Sequence, residues 1–423
     1  MREWQPPAHI ATMTMISDYH EIDEILRSKD FRQGSHTESK PLFADSLLLL
    51  DGPEHRERRR MENPLFDRNS LLYYDHKALN PVVEKMIADC LAEAGPDGRV
   101  KVDLMVLVRA MLHRIAAATT GIDGVDTPER TERFRFFLEE LGAAATVEWS
   151  KEDHAEVLRR GLALREEFVE EFFGASLERR RKLVEDYRAG RTSREDLPID
   201  LLTLLFLHWN DEWDDELPLR EATLFLVAAT QTTTHTLPHV ILHLDEWWRE
   251  HPEDRGKQFD SDFLRLAINE SLRLHQPAPT LLRYATKDVT LRSGRKIAEG
   301  ERVALCFVPA NRQRDVFGED ADQFNPYRPP AANGARPWGL TFGGGAHVCV
   351  GRPLVTGLAK RDGAQPTEGT MLRILRALYA ANVELDPNDP PVPVASSHHD
   401  TYERMPVFLS ATKPAEQPAP VPA

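Results

Sequence analysis

The chain has 423 residues, 41% of them hydrophobic, which suffices for a sizeable core and excludes disorder throughout. A count of 68 acidic against 53 basic side chains gives a formal charge of −15, and this argues against nucleic acid as a partner, because phosphate binding needs a positive surface. Three cysteines, Cys90, Cys306 and Cys349, are too few and too scattered for a disulfide framework or a four-thiolate zinc site, and they fit a reducing, cytoplasmic compartment.

In chain order, Met1–Ile16 has neither a long apolar run nor a basic-then-apolar signal pattern, so no membrane anchor is expected. The segment Asp51–Arg60 reads DGPEHRERRR. Its proline marks a helix start, and His55 and Arg59, four apart, share one face. Arg56, Arg58 and Arg60 alternate with these and are expected to face outward, as part of a basic docking patch or as an ordinary solvated face. Glu166–Tyr187, dense in Glu and Arg around Phe168, Phe172 and Leu183, reads as a long surface helix interrupted near Gly174. Pro218–Leu244 is mostly apolar and too long for a strand. The periodic run Phe263–Leu274 sets Glu270 and Arg273 three apart, where they can pair. Val289–Leu291, Ile297 and Val303–Leu305, punctuated by Ser293-Gly294 and Glu299-Gly300, read as short strands and turns.

Phe342-Gly343-Gly344-Gly345-Ala346-His347-Val348-Cys349-Val350-Gly351 carries the most information. Clustered glycines allow positive φ and a close approach of backbone to a flat ligand. A thiolate at the end of such a loop, just before a helix, can be stabilised by free backbone N–H groups. Beyond it, Ala359–Pro366 with Gly363 and Gly369 predicts a loop in place of continuous helix. His398-His399-Asp400 invites a metal reading, although a solvated turn is expected there. Lys413–Ala423, rich in Pro and Ala, predicts a disordered tail. No repeat and no internal linker divides the chain. The expected fold is mainly α with a small β-rich region, forming one composite domain over residues 1–412.

The spacing of Phe342, Gly345, His347, Cys349 and Gly351 resembles the cysteine-loop signature of the cytochrome P450 superfamily. Four further motifs between His9 and Leu409 fit the same pattern. Glu270-Ser271-Leu272-Arg273 is similar to the family's helix K, with Arg328 of Phe324–Pro329 as third member of a structural triad. His55 and Arg59 resemble its helix C, Arg283 its haem-reaching strand arginine, and Leu224–Thr233 the middle of its helix I.

The resemblance implies the family's fold and haem b (iron protoporphyrin IX), with Cys349 as the iron ligand. It makes Phe342 and Gly343 neighbours of the sulfur, and His347, His55, Arg59 and Arg283 haem-binding cations, arginine forks suiting carboxylates. Ala228 would leave room over the iron, and Thr232 would handle oxygen or water; from the residues alone, a threonine bonding the carbonyl one turn back is the alternative. Leu224, Ala278, Thr280, Leu281 and Thr401 are the expected substrate wall, within stretches Ser35–Ser46, Ala278–Leu282 and His398–Tyr402.

The implied reaction is oxidation of a moderately apolar small molecule with dioxygen, using electrons from a separate ferredoxin or flavin reductase. Peroxide-driven, coupling or nitrogen-oxide chemistry, or a haem sensor without turnover, are the rival readings. Two residues depart from the family: Gln231 replaces the usual acid and Ala229 the usual glycine. Gln231 remains a candidate catalytic position, but an amide cannot titrate. Much of the family's usual N-terminal strand and helix is expected to be absent ahead of His55, shortened or replaced by something compact.

Overall fold

A computed structural model describes residues 5–331, 334–360 and 363–411. The proline-rich tail lies outside the described residues, as do Arg361 and Asp362 of the expected loop. Helix dominates. The helices that matter for the site are α1 (Gly52–Glu62), α2 (Leu104–Thr120), α3 (Pro128–Ala145), α4 (Leu217–Glu250), α5 (Ser261–Leu274), α6 (Arg352–Thr356) and α7 (Thr370–Ala380).

Local chemistry sets their ends. Asp103, Thr127 and Asp260 accept backbone N–H groups at the starts of α2, α3 and α5. Gly121, at φ +98°, ends α2 in the left-handed conformation. Between Glu166 and Tyr187 the interruption is a π-helical turn at Val169–Phe173, directly before Gly174.

The 34-residue α4 is the axis of the molecule. Its first half packs Ala222, Leu226 and Val227 among Phe134, Phe137 and Leu141 of α3. Its second half packs Leu237, Val240, Ile241 and Leu244 with α2, α5 and α7. One helix therefore joins two apolar cores. Four of its threonines, Thr223, Thr230, Thr232 and Thr236, return their hydroxyl protons to carbonyls one turn back, which satisfies polar groups inside an apolar helix.

The β part is small. A four-stranded sheet has the order Thr14–Ile16, Arg302–Cys306, Thr280–Ala285, Phe31–Gln33, with only the first pair parallel. Its register sets Gln33 and Val303 on either side of Arg283. A three-stranded sheet joins Arg99–Asp103, Pro406–Ser410 and Glu384–Leu385. Val289–Thr290 with Lys296–Ile297 is a hairpin, and Val392–Pro393 pairs with Tyr402–Arg404. The N-terminal segment is thus compact: both its strands are spent on the sheet that carries Arg283. Among the described residues no helix is long and apolar enough to cross a membrane.

One expectation fails between α1 and α4. Arg58 does not face outward with Arg56 and Arg60; it is buried, lies 4.6 Å from the Trp213 ring and ion-pairs with the buried Glu221. Glu221 also accepts from the Leu47 N–H at 3.0 Å. Glu62, wholly buried, meets Glu221 carboxyl to carboxyl and has no other hydrogen-bond partner for its side chain among the described residues. Burial first, and Glu221 second, push the Glu62 pKa well up; burial pushes Glu221 to about 7 against the pull of Arg58.

Candidate active site

A cavity of about 380 Å³ lies between α4 and the cysteine loop. The loop turns at Gly343 (φ +65°) and Gly345 (φ +63°), and the Cys349 N–H closes it onto the Phe342 carbonyl at 2.8 Å. At Gly345 a side chain is excluded twice over: φ is left-handed, and a Cβ would run into the Leu26 carbonyl. Phe342 and Gly343 border the cavity beside Cys349. The Cys349 sulfur is open to the cavity though deep within the protein. Burial pushes its thiol pKa up, while the Gly351 and Arg352 N–H groups and the Arg59 and Arg352 guanidiniums pull it down.

Basic side chains gather on the same wall. His55 is buried, with its ring 4.2 Å from that of His347. Burial, then His347, then Arg59 push its pKa down to about 4. His347 Nε2 lies 3.1 Å from Asp51. Arg59 donates to the Ala346 carbonyl at 3.3 Å, and burial lowers its pKa against the pull of Cys349. Arg283, 4% exposed, donates to Gln33 at 2.5 Å and to the Leu282 carbonyl at 2.8 Å. Burial lowers its pKa to about 10.

Among the described residues neither Arg59 nor Arg283 has a carboxylate partner. One buried and one half-buried guanidinium and a thiol on one cavity wall make a donor set that fits a flat, dianionic cofactor bound through sulfur to iron. Haem is such a group.

On α4, Leu224, Ala228, Gln231 and Thr232 all border the cavity. The Thr232 hydroxyl donates to the Ala228 carbonyl at 2.9 Å, so the one-turn-back bond is what it makes here. The Gln231 amide is drawn toward α3, with its nitrogen 3.4 Å from the Leu138 carbonyl. It packs over Gly142, where any Cβ would collide with it. Ala278, Thr280 and Leu281 line the cavity, as do Ser35, His36 and Phe43 from the first expected stretch.

Thr401 does not. It is buried away from the cavity wall, and its neighbour His399 lines the wall instead. The loop 398–402 is therefore not a merely solvated turn: His399 turns inward, and Asp400 bonds His275 at 2.6 Å. Sequence reasoning also passed over Phe66, Phe225, His235 and Trp149, which line the cavity. Only His235 left a signal, standing one turn beyond Gln231.

Glu270, Arg273 and Arg328 sit apart from the cavity. Arg273, 0% exposed, bonds both Glu270 oxygens at 2.7 and 2.8 Å and the Asn311 and Ala321 carbonyls at 2.6 Å. Arg328 reaches Glu270 at 2.9 Å and Asp320 at 2.6 Å. The group ties the end of α5 to the segment leading into the cysteine loop. Past that loop α6 ends at Gly357, Leu358 and Thr367 exchange backbone hydrogen bonds at 3.2 and 3.0 Å, and α7 begins after Gly369.

A helical body pierced by one long helix, with a cysteine loop and buried cations on a shared cavity, defines a haem-thiolate protein. Comparison with known proteins agrees. Residues 260–356 match the "Cytochrome P450" family. The chain is 26% identical to "Cytochrome P450 734A1" of Arabidopsis thaliana over 82% of its own length and 70% of that protein's. It is 32% identical to the "Steroid C26-monooxygenase" of Mycolicibacterium smegmatis over 48% of this chain and 45% of that protein. The solved structure of CYP109E1 from Bacillus megaterium with testosterone superposes with a TM-score of 0.67, at 18% identity, covering 95% of this chain and 94% of that one. These likenesses support the cytochrome P450 superfamily, and the M. smegmatis relative is named a monooxygenase.

Proposed function

We propose that this chain, working up to residue 412 as one haem domain in the cytoplasm, binds haem b and oxidises a neutral, largely apolar small molecule. Electrons would come one at a time from a separate ferredoxin or flavin reductase. The observation that carries the reading is Cys349 on a cavity wall shared with the half-buried Arg59 and the buried Arg283, two cations without carboxylate partners among the described residues.

Cys349 would hold the iron, Arg59, Arg283, His55 and His347 the propionates. The bound haem supplies the chemistry of dioxygen activation. The chain's own residues then have distinct tasks. Leu224, Ala278 and Leu281 exclude water and hold apolar substrate. Ala228 keeps the α4 surface low. Thr232 can turn its hydroxyl from the Ala228 carbonyl to a water or oxygen species in the cavity. Gln231 orients rather than titrates. The substrate class rests on the mostly apolar lining, and the names of the mycobacterial relative and the testosterone complex are in keeping with it.

The test is the visible spectrum of the reduced protein under carbon monoxide, for wild type and Cys349→Ala. A strongly red-shifted Soret band, absent in the variant, is expected. A bound haem whose band is the same in both proteins would refute Cys349 as the ligand.

A further inference from the structure

Oxidation of a substrate R–H by dioxygen consumes two electrons and two protons, giving R–OH and one water. Those protons must reach a cavity whose long helix offers no acid at position 231. What the helix offers lies further along. Gln231, His235, His239 and His243 recur every fourth residue of α4 and so form one stripe on its surface.

The stripe meets two other segments. His235 and His399 both line the cavity, their ring centroids 4.7 Å apart. One residue on, Asp400 is half-exposed and off the cavity wall. Its carboxylate accepts from His275 Nδ1 at 2.6 Å, and its backbone carbonyl accepts from His239 Nε2 at 2.9 Å. The His239 and His275 rings stack with centroids 3.7 Å apart. Thus the imidazoles run from a half-exposed carboxylate to the cavity wall, with one helical turn between His239 and His235.

The polar atoms along this route are unusual. Among the described residues, His235 Nδ1, His399 Nε2, His275 Nε2, Gln276 Oε1 and Thr401 Oγ1 are all buried without a hydrogen-bond partner. Buried polar atoms are nearly always partnered, by protein or by ordered water, so five such atoms on one seam mark a place where internal water binds. Burial lowers the pKa of His239 and His399 to about 4 and that of His235 well below the usual value. Neutral imidazole accepts at one nitrogen and donates from the other, so it can pass a proton on without holding charge. Burial opposes ionisation of Asp400, but the His275 hydrogen bond, His239 and Arg312 hold its carboxyl below the usual range. It therefore fixes the two rings as proton donors.

A metal is a poorer occupant. Ligand atoms of His239, His275 and Asp400 do lie within 4.8 Å of one another. The two rings are within 11° of parallel, however, and their in-plane lone pairs do not converge.

We propose that His275–Asp400, His239 and His235 form a proton entry path into the cavity, supplying from the surface what a carboxyl at 231 would otherwise relay. The proposal rests on the monooxygenase reading. The first test needs no variant: solvent exchange of the ring protons in ¹⁵N-histidine-labelled holoenzyme, reduced and saturated with carbon monoxide, followed by NMR. His113, as buried as His239 but far along the chain from the seam, is the internal reference.

His235 and His239 should exchange at least about tenfold faster than His113, and Asp400→Asn should slow both. Exchange no faster than at His113 overturns the path. The second test is oxygen uptake in H₂O and D₂O, driven by a plant-type ferredoxin and its reductase. His239→Phe, which keeps an aromatic ring on His275, should slow uptake about tenfold and change the solvent isotope effect. An unchanged rate and isotope effect, with a normal carbon monoxide band, overturns the relay role. That band reports separately on the haem-thiolate reading, and the exchange comparison decides the path whatever the band shows.

Discussion

The buried Glu62, Glu221 and Arg58 group predicts that stability falls as pH rises, and that Glu62→Gln lessens the fall. Arg58 pairs with Glu221 alone, and Glu62 faces Glu221 in the same buried site, so the folded state favours the protonated form of Glu62. Their folded pKa values are raised, which means the folded state holds a proton that the unfolded chain releases above about 4.5. The unfolded state then binds fewer protons, and unfolding free energy drops with pH. The contribution is whole below the unfolded value and is lost as pH climbs through the folded one. A rise from 4.5 to about 7 for Glu221 corresponds to about 3 kcal/mol.

Glutamine has the same shape as the protonated acid and can still donate to Glu221. The assay is thermal unfolding of both proteins at pH 5, 6, 7 and 8. Near pH 5 the two should melt together. Between pH 5 and pH 8 both proteins should lose the Glu221 share, about 3 °C at about 1 °C per kcal/mol for a chain this long, and by pH 8 the variant should melt higher than wild type because it has no Glu62 share to lose. Parallel curves across the range would refute the argument, because they would mean Glu62 ionises without cost where it sits.

Other consequences are testable with single substitutions. Arg283→Leu removes a buried cation facing the cavity and should weaken haem retention by roughly 2–5 kcal/mol; an unchanged haem-to-protein ratio after gel filtration would count against its role. Gly345→Ala forces a side chain onto the Leu26 carbonyl at positive φ and should lower stability by about 1–3 kcal/mol in urea unfolding. Equal midpoints would show that the loop gives way. Arg273→Met leaves Glu270 buried beside Arg328 alone, and a loss of roughly 3–5 kcal/mol is expected. A loss below 1 kcal/mol, measured the same way, would show that Arg328 carries the carboxylate by itself.

Much of the site was legible because its signals are local in the chain. Phe342, Gly345, His347 and Cys349 act within one loop, and Glu270 and Arg273 within one turn of helix, so spacing alone declares them. Arg58 misled because its burial depends on Trp213 and Glu221, more than 150 residues away, while its own neighbours are all charged. Thr401 and His399 were confused for a related reason: in a loop no period says which side chain turns inward. Gln231 was visible as a departure, but its tilt toward α3 depends on the notch at Gly142. The strands Thr14–Ile16 and Phe31–Gln33 are three residues each, too short to carry a pattern, and exist because distant partners receive them.

The excursion after the cysteine loop has a wider meaning. Gly357 (φ +68°) and Gly369 (φ +74°) lie back to back, so closely that a Cβ on Gly369 would strike the Gly357 backbone. Chain leaves and re-enters the body at nearly one point, and Arg265 clamps that point through the Thr356 and Thr367 carbonyls at 2.6 and 2.7 Å. The clamp stands between Cys349 and the excursion, which Arg68 also holds through the Gln365 carbonyl. Closing a longer loop costs little extra entropy, so residues 359–366 can change in length and sequence while the sulfur stays put. Descendants of this chain could acquire a new partner surface, or an inserted module, at this one place without retuning the haem site.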